Sequence, residues 1–254
     1  MDKNKSAYKL KDFGPLYIIN LDGQPERWDW MKDQLNYWQV TNYERISAFD
    51  GRDDDLSEII FGRYPESVSS GEVGCVTSHL KSIKHWYETS DSPYGIFMED
   101  DCDFCSVKHW PFSWREFMSR LPYDWDCLQV AIINPRKLIA NIHPRYVDDF
   151  STACFVVNRR YAEKLMHFHC RDDRFKLDNG VRPRAVADDL IYNAGKTYAI
   201  PLFLYKLELG SSIHPEHIDA FHKTSREGLD HWWKNQSADM PIDKFFEYDT
   251  HELY

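Results

Sequence analysis

Short apolar runs alternate along this chain with segments whose apolar residues recur at helical spacing, and this alternation constrains the fold most. The apolar runs lie at residues 15–23, 44–51, 96–98, 127–133, 152–157 and 198–205. The helical segments lie at residues 25–38, 71–88 and 159–168. Because strands that alternate with helices pair mostly side by side in one direction, the pattern predicts an α/β fold with a mostly parallel central sheet flanked by helices.

The composition and charge narrow the class of protein. With 43% apolar residues, the 254-residue chain is globular and can bury a substantial core. Its formal net charge of -10 argues against nucleic acid as a partner, because backbone binding needs a surplus of Lys and Arg. No segment approaches the ~18 consecutive apolar residues of a transmembrane helix, and the first residues are too polar for a secretory leader. We therefore expect a soluble cytoplasmic protein, with peripheral attachment to a membrane left open.

The chain shows no internal repeat and no linker that would split it. We divide it into a flexible N-terminal segment at 1–12, one domain at 13–214 and an aromatic-rich C-terminal extension at 215–254. The aromatic residues of the extension predict that it packs on the domain, and stacking of some rings on a sugar is the alternative.

The six cysteines lie mostly inside apolar runs. The C-x-x-C pair, Cys102 and Cys105, has no second pair and no nearby set of histidines. Buried free thiols in a reducing compartment are therefore expected, in preference to disulfides or zinc.

The stretch GIFMEDDCDF places carboxylates directly after an apolar run. Residues 96–98 have the character of a buried strand, and Glu99, Asp100, Asp101 and Asp103 follow it. Ligands of parallel sheets bind outside the carboxyl ends of strands, where Mg²⁺ or Mn²⁺ takes carboxylate oxygens. Side chains alternate along a strand, so Glu99 and Asp101 share one side and are the preferred pair of ligands. The alternative is that the acids are simply solvated.

Several blocks, in order, resemble glycosyltransferase family 25, which includes lipooligosaccharide and collagen galactosyltransferases. The blocks are YIINLDGQPERW, RISAFDG, GEVGCVTSHLKSI, GIFMEDDCDF, STACFVVNRRYAEKL and SSI at 211–213, and they span residues 16–214. The most specific part is GEVGC-x-x-SH followed by MEDD. The resemblance implies a GT-A type nucleotide-sugar-binding fold over 13–214, a UDP-sugar donor, Mn²⁺ or Mg²⁺ at the acidic strand end, and inversion at the anomeric carbon.

The resemblance also implies roles for residues of the donor site. The residues that match its donor-binding positions are Asn20, Leu21, Arg27, Asp50, Ser78, His79 and Asp100. Arg27 is a candidate for phosphate or base contact, with a solvated helix residue as the alternative. Asp50 could equally form a turn before Gly51. Ser78 and His79 are expected at a helix start whose amides face the donor, and His79 as a capping or core histidine is the alternative.

The metal and the catalytic base complete the predicted site. The resemblance places Glu99, Asp101 and Asp103 on the metal together with His214, for which His217 is the fallback and surface histidines are the alternative. Asp188 in RAVADDLIYNAG is the predicted base, and its neighbour Asp189 is the other candidate. Acidic residues that stabilise a helix N-terminus would look the same.

Together these expectations describe an inverting, metal-dependent glycosyltransferase. It would move a hexose, galactose or glucose, from a UDP-sugar to a hydroxyl of a glycan or other acceptor, as in lipopolysaccharide biosynthesis. GQPER replaces the Arg-rich stretch common in the family, which makes a metal more important for holding a diphosphate. The alternatives are an inactive sugar-binding or scaffold protein of the same fold, and a metal-dependent nucleotidyltransferase. The sugar, the acceptor and the oligomeric state stay open.

Overall fold

The computed structural model describes residues 6–62, 68–177, 186–210, 213 and 217–248. The strands in these residues are β1 Leu16–Asn20, β2 Tyr43–Ser47, β3 Tyr94–Glu99, β4 Cys102–Asp103, β5 Cys127–Ala131, β6 His143–Pro144, β7 Cys154–Asn158, β8 Cys170–Arg171, β9 Arg174–Phe175 and β10 Thr197–Tyr205. The α-helices are α1 Ser6–Lys9, α2 Pro25–Tyr37, α3 Ser70–Thr89, α4 Trp114–Ser119, α5 Arg159–His169, α6 Ala187–Tyr192 and α7 Lys223–Asn235.

A central sheet organises the domain in the order β2-β1-β3-β7-β5-β10-β4, with β6 paired to β10. Strands β2, β1, β3, β5 and β10 run in one direction, whereas β7 runs antiparallel to both of its neighbours. The chain from β5 to β7 contains no crossover helix, so it re-enters the sheet from the edge at which β5 ended. The predicted α/β fold with a mostly parallel sheet flanked by helices is confirmed, and the sheet is mixed.

Alternating side chains of the buried strand β1 build two apolar layers, one on each face of the sheet. Leu16 and Ile18 belong to the layer that includes residues of α2, α4 and α7. Tyr17 and Ile19 belong to the layer that includes residues of α3, α5 and α6. Since both faces of β1 are covered, the strand is apolar throughout, as the sequence pattern predicted.

The register of the parallel strands brings their carboxyl ends together at one edge. Ile18 pairs with Met98 and Ile19 with Glu99, so Asn20 and Asp100 come next to each other just beyond the paired residues. Ser47 ends β2 beside Asn20. The polar and charged side chains that could take part in catalysis converge at this edge.

Both ends of the chain pack on the domain where they are described. Lys9, within the segment predicted to be flexible, is buried, and its Nζ donates hydrogen bonds of 2.7 Å to the carbonyls of Lys108 and Trp110. In the C-terminal extension, Trp233 and Phe245 are buried in the core. Across the described ranges, we find no helix with the combined length and apolarity that crossing a membrane requires.

Candidate active site

Two cavities open at the carboxyl-end edge of the sheet, and they meet at the acidic residues. The large cavity has a volume of about 320 Å³ and the small cavity about 110 Å³. Both are lined by Cys75, Glu99, Asp101 and Ile213. Groups bound in the two cavities would therefore face the same pair of carboxylates.

The small cavity is built from the loop after β1, the loop after β2 and the N-terminal half of α3. Gly51 and Gly74 let the last two approach closely: a Cβ on Gly51 would lie 1.9 Å from the carbonyl oxygen of Ser70, and one on Gly74 would lie 2.5 Å from the Gly51 nitrogen. Ser78 fixes the same contact, because its Oγ accepts a 2.8 Å hydrogen bond from the Phe49 amide. The glycines of the FDG and GEVG motifs, Gly51 and Gly74, are therefore both needed for this close packing.

The helix start lies elsewhere than expected. Helix α3 begins at Ser70, where Ser69 and Glu72 form a capping box. Ser78 and His79 are buried two turns into the helix, so the expectation that they sit at its start, with amides facing the donor, is wrong. Backbone amides at these positions are used by the helix itself. Their side chains do face the small cavity.

Asp100 lines the small cavity, where it is held in a buried contact with Arg27. Arg27 Nε donates a 2.7 Å hydrogen bond to Asp100 Oδ1, and Arg27 Nη2 lies 2.5 Å from the same oxygen. Asn20 Nδ2 donates to Asp100 Oδ2 at 2.6 Å. Burial raises the pKa of Asp100 although Arg27 and Asn20 act in the opposite direction. Of the predicted donor-binding residues, these three thus hold one another.

Arg27 also ties the first turn of α2 to the segment that follows β10. Its Nη1 donates to the carbonyls of Leu209 and Gly210 at 3.2 and 3.3 Å, and its Nη2 lies 3.3 Å from Asp101 Oδ2. The side chain is only 8% exposed, which rules out a solvated helix residue. The neighbouring acids raise the pKa of Arg27 even though burial lowers it. The positive charge of Arg27 therefore offsets part of the negative charge of Asp100 and Asp101.

Glu99 is held by residues of two other elements. Its Oε1 accepts a 2.7 Å hydrogen bond from Thr152 Oγ1 and lies 3.1 Å from His79 Nε2. Burial works against ionisation, but the contacts with His79 and Thr152 outweigh it and lower the pKa of Glu99. The carboxylate is therefore oriented and ionised at the junction of the cavities.

Asp101 has a carboxylate oxygen with no partner. Its Oδ2 faces Arg27, whereas its Oδ1 is buried and makes no hydrogen bond to any residue that the structure describes. Burial and the charge of Glu99 raise the pKa of Asp101 to about 7. A buried oxygen left unsatisfied beside a second carboxylate costs free energy, which a bound cation would recover.

The structure does not bring Asp103 to this cluster. Its Oδ1 accepts a 2.8 Å hydrogen bond from the Cys105 amide, and its Oδ2 lies 3.1 Å from Arg226 Nη2. Asp103 lines neither cavity, because β4 carries it past the edge into an antiparallel pair with β10. His214 lies outside the described residues, and His217 lines the large cavity.

Asp188 and Asp189 are separated by their places on α6. Asp188 lines the large cavity; its Oδ1 accepts a 2.8 Å hydrogen bond from the Ser151 amide and lies 3.9 Å from Arg145 Nη2. Burial raises the pKa of Asp188 to about 6 against the attraction of Arg145. Asp189 Oδ1 accepts from Asn193 Nδ2 at 3.3 Å, and Asp189 lines neither cavity.

The remaining predicted residues line the small cavity. Leu21 contributes an apolar wall, and Asp50 binds Arg52 through both carboxylate oxygens, at 2.7 and 2.6 Å. This pair lowers the pKa of Asp50. Asp50 therefore forms an ion pair at the cavity rim as well as a turn.

Several residues of the site were missed in the sequence. They are Cys75, Arg145, Ser151, Thr152 and Tyr205. Ser151 has a φ of 99°, a region that non-glycine residues rarely occupy, and this backbone aims its amide at Asp188. A serine and threonine before an apolar strand carry no signal for either role.

Comparisons with known proteins agree with this geometry. Residues 13–111 match the family model described as glycosyltransferase family 25 (LPS biosynthesis protein). None of the curated proteins matches the chain. The matched segment contains the close contact between Gly51 and Gly74 and the carboxylates at the end of β3. The match over residues 13–111 supports glycosyltransferase family 25 as the family of this chain, and it indicates an enzyme of the transferase class.

Proposed function

We propose that the protein is an inverting, metal-dependent transferase that moves a hexose, galactose or glucose, from a UDP-sugar to a hydroxyl of a saccharide or other acceptor. The observation that carries the proposal is the unpartnered Oδ1 of Asp101, which lies beside Glu99 where the two cavities meet. In this proposal, the small cavity takes the nucleotide diphosphate and the large cavity takes the acceptor. The anomeric carbon would lie between them.

The residues present fit a divalent cation. Glu99, Asp100 and Asp101 bring three carboxyl groups together, and Arg27 is the cation that contacts two of them. Glu99 and Asp101 would hold Mn²⁺ or Mg²⁺ through oxygens, which both ions prefer. When bound, the ion supplies charge neutralisation for the departing diphosphate. His214 remains a proposed further ligand.

The small cavity needs such a charge to hold a diphosphate. Two arginines line it in the described part of the chain, and both already face carboxylates: Arg27 binds Asp100 and Arg52 binds Asp50. Neither guanidinium can turn fully to a phosphate without leaving its acid exposed to the same negative charge. This arrangement supports metal dependence.

Asp188 is the proposed general base. It would take the proton of the acceptor hydroxyl while the hydroxyl oxygen forms a bond to the anomeric carbon and the bond from that carbon to the diphosphate breaks. A single displacement of this kind inverts the configuration at carbon. The Ser151 amide holds Asp188 Oδ1, which leaves Oδ2 for the proton. A pKa of about 6 keeps the group largely ionised at neutral pH yet more basic than an ordinary aspartate.

The test uses UDP release. The protein is incubated with UDP-galactose, UDP-glucose and other nucleotide sugars, with Mn²⁺ or with EDTA, in the presence of saccharide acceptors. We expect Mn²⁺-dependent release of UDP, reduced about 10²-fold or more in Glu99→Gln and Asp101→Asn. Asp103→Asn is the matched control, because Asp103 belongs to the same acidic stretch but does not reach the cavities.

The rival functions give different products. Pyrophosphate would identify a nucleotidyltransferase, and measurable UDP binding without any release would identify an inactive sugar-binding protein. Equal loss of activity in Asp103→Asn, with its fold intact, would refute the assignment of Glu99 and Asp101. Product anomers distinguished by NMR would test inversion.

A further inference from the structure

We propose that Cys75, His79 and Glu99 form a binding site for a thiophilic divalent cation, best matched by Zn²⁺. One ligand atom from each residue, a sulfur, a ring nitrogen and a carboxylate oxygen, lies within 4.8 Å of the other two. This site differs in chemistry from an oxygen-only manganese site, because it requires a thiolate and an imidazole.

The helix and the strand bring the three side chains together. Cys75 and His79 are four residues apart in α3, so they lie on the same face one turn apart. That face packs against the end of β3, where His79 Nε2 lies 3.1 Å from Glu99 Oε1. The residues are separated by up to 24 positions in the chain, so a local motif search does not find them.

The ligand set is typical of zinc. Thiolate, imidazole and carboxylate bind Zn²⁺ at about 2.0–2.3 Å in a tetrahedral arrangement, which places ligand atoms about 3.3–3.7 Å apart. The observed ligand atoms lie within 4.8 Å of one another, so binding would draw the side chains closer together. Three protein ligands leave the fourth position to water or to a bound hydroxyl. Cys75 is half-buried and lines both cavities, so an ion has a path to it.

Binding of an ion to Cys75, His79 and Glu99 would leave most of the hydrogen bonds around these residues in place. Among the described residues, His79 Nδ1 is buried without a hydrogen-bond partner, so moving the ring proton from Nε2 to Nδ1 breaks no contact there. The buried N–H that this shift creates has a free-energy cost, which the bonds to the ion must offset. Thr152 Oγ1 continues to donate to Glu99 and holds the carboxylate in place. The Nε2 contact with Glu99 is replaced by two bonds to the ion, and the thiol proton is released to solvent.

Glu99 would belong to both metal sites. Zn²⁺ at Cys75 and His79 would therefore compete with Mn²⁺ for this carboxylate and inhibit transfer. This consequence rests on the proposed function, whereas binding of Zn²⁺ to the cluster does not.

Binding of Co²⁺ to the proposed zinc site can be followed by absorption spectroscopy. The protein is titrated with Co²⁺ in the absence of nucleotide sugar, and we expect a near-ultraviolet charge-transfer band from thiolate to cobalt that Zn²⁺ abolishes. Cys75→Ser should lose the band and bind Zn²⁺ about 100-fold more weakly. Cys170→Ser is the matched control: Cys170 is also half-buried, but its Sγ contacts Met166 Sδ at 3.4 Å, away from the cavities.

A second variant separates ligation from folding. His79→Gln should keep a weaker charge-transfer band with a shifted maximum, because the thiolate remains while a nitrogen ligand is lost. Folding of each variant is checked by circular dichroism. The proposal is overturned if the folded native protein shows no band, or if the band persists in Cys75→Ser. Because the band needs no nucleotide sugar, this failure is distinct from a failure to release UDP.

Discussion

Asp188→Asn should lower turnover and yet raise the stability of the fold. The burial that makes the Asp188 carboxylate more basic also makes its ionised form destabilising. The asparagine keeps an oxygen that accepts the Ser151 amide, and it removes only the charge and the basicity. Loss of a general base lowers turnover by about 10²–10⁴-fold. UDP binding should change little, since Asp188 lines the large cavity and not the small one.

The free energy of unfolding of Asp188→Asn should increase, whereas its turnover decreases. The rise in the pKa of Asp188 from its ordinary 3.8 to about 6 corresponds to about 3 kcal/mol of destabilisation when the group is ionised. Because the folded pKa is the higher one, this group favours folding most below pH 3.8, and the benefit is lost as the pH rises through about 6. At pH 8 the neutral asparagine should therefore make the protein more stable, by at most about 3 kcal/mol.

Three measurements test this prediction together: UDP release with Mn²⁺ and acceptor, UDP affinity by calorimetry, and urea unfolding at pH 5 and pH 8. The stabilisation should be larger at pH 8 than at pH 5. Asp189→Asn is the control, since Asp189 shares the first turn of α6 but lines neither cavity. Unchanged turnover in Asp188→Asn, or lower stability at pH 8, would refute the reasoning.

Two other substitutions test the structure around the site. Arg27→Met should destabilise the protein by about 3–5 kcal/mol, since it leaves Asp100 buried without its counter-ion; urea unfolding checks this, and native stability would contradict the assigned pair. Gly51→Ala should cost about 1–3 kcal/mol and weaken UDP binding, because its Cβ would lie 1.9 Å from the Ser70 carbonyl oxygen. Gly23→Ala, with nothing within 4 Å of its Cβ, should change neither quantity.

The six longer strands and helices α2, α3 and α5 were predictable, because their buried residues form apolar runs or recur at helical spacing in the sequence. The run at 96–98 and the helical spacing over 71–88 correspond to β3 and to α3. The direction of β7 was not predictable, because an apolar strand reads the same whether it runs parallel or antiparallel. Its direction follows from the irregular path between β5 and β7, which no periodicity describes.

The residues of the candidate site were likewise only partly predictable from the sequence. Glu99 and Asp101 line both cavities, but the alternation rule does not separate Asp100 from them, because Asp100 also lines the small cavity and shares Arg27 with Asp101. Asp103, which the resemblance placed on the metal, does not reach the cavities, because the chain turns after Asp101 and enters a new strand that pairs with β10. The ion pair of Arg27 with Asp100 spans 73 positions, and no local pattern identifies such a partner.

The two cavities differ in how much of them a family comparison can explain. The small cavity is lined, apart from Ile213, by residues within 13–111, the segment that matches the family model. The large cavity takes Glu72, Cys75, Glu99 and Asp101 from that segment, and its other lining residues lie between 133 and 222. If the small cavity holds the donor, the matched part of the chain encodes what the family has in common, and the acceptor is chosen by residues outside the match. Exchange of residues 133–222 between this chain and a member of glycosyltransferase family 25 should then change the acceptor while the nucleotide sugar stays the same.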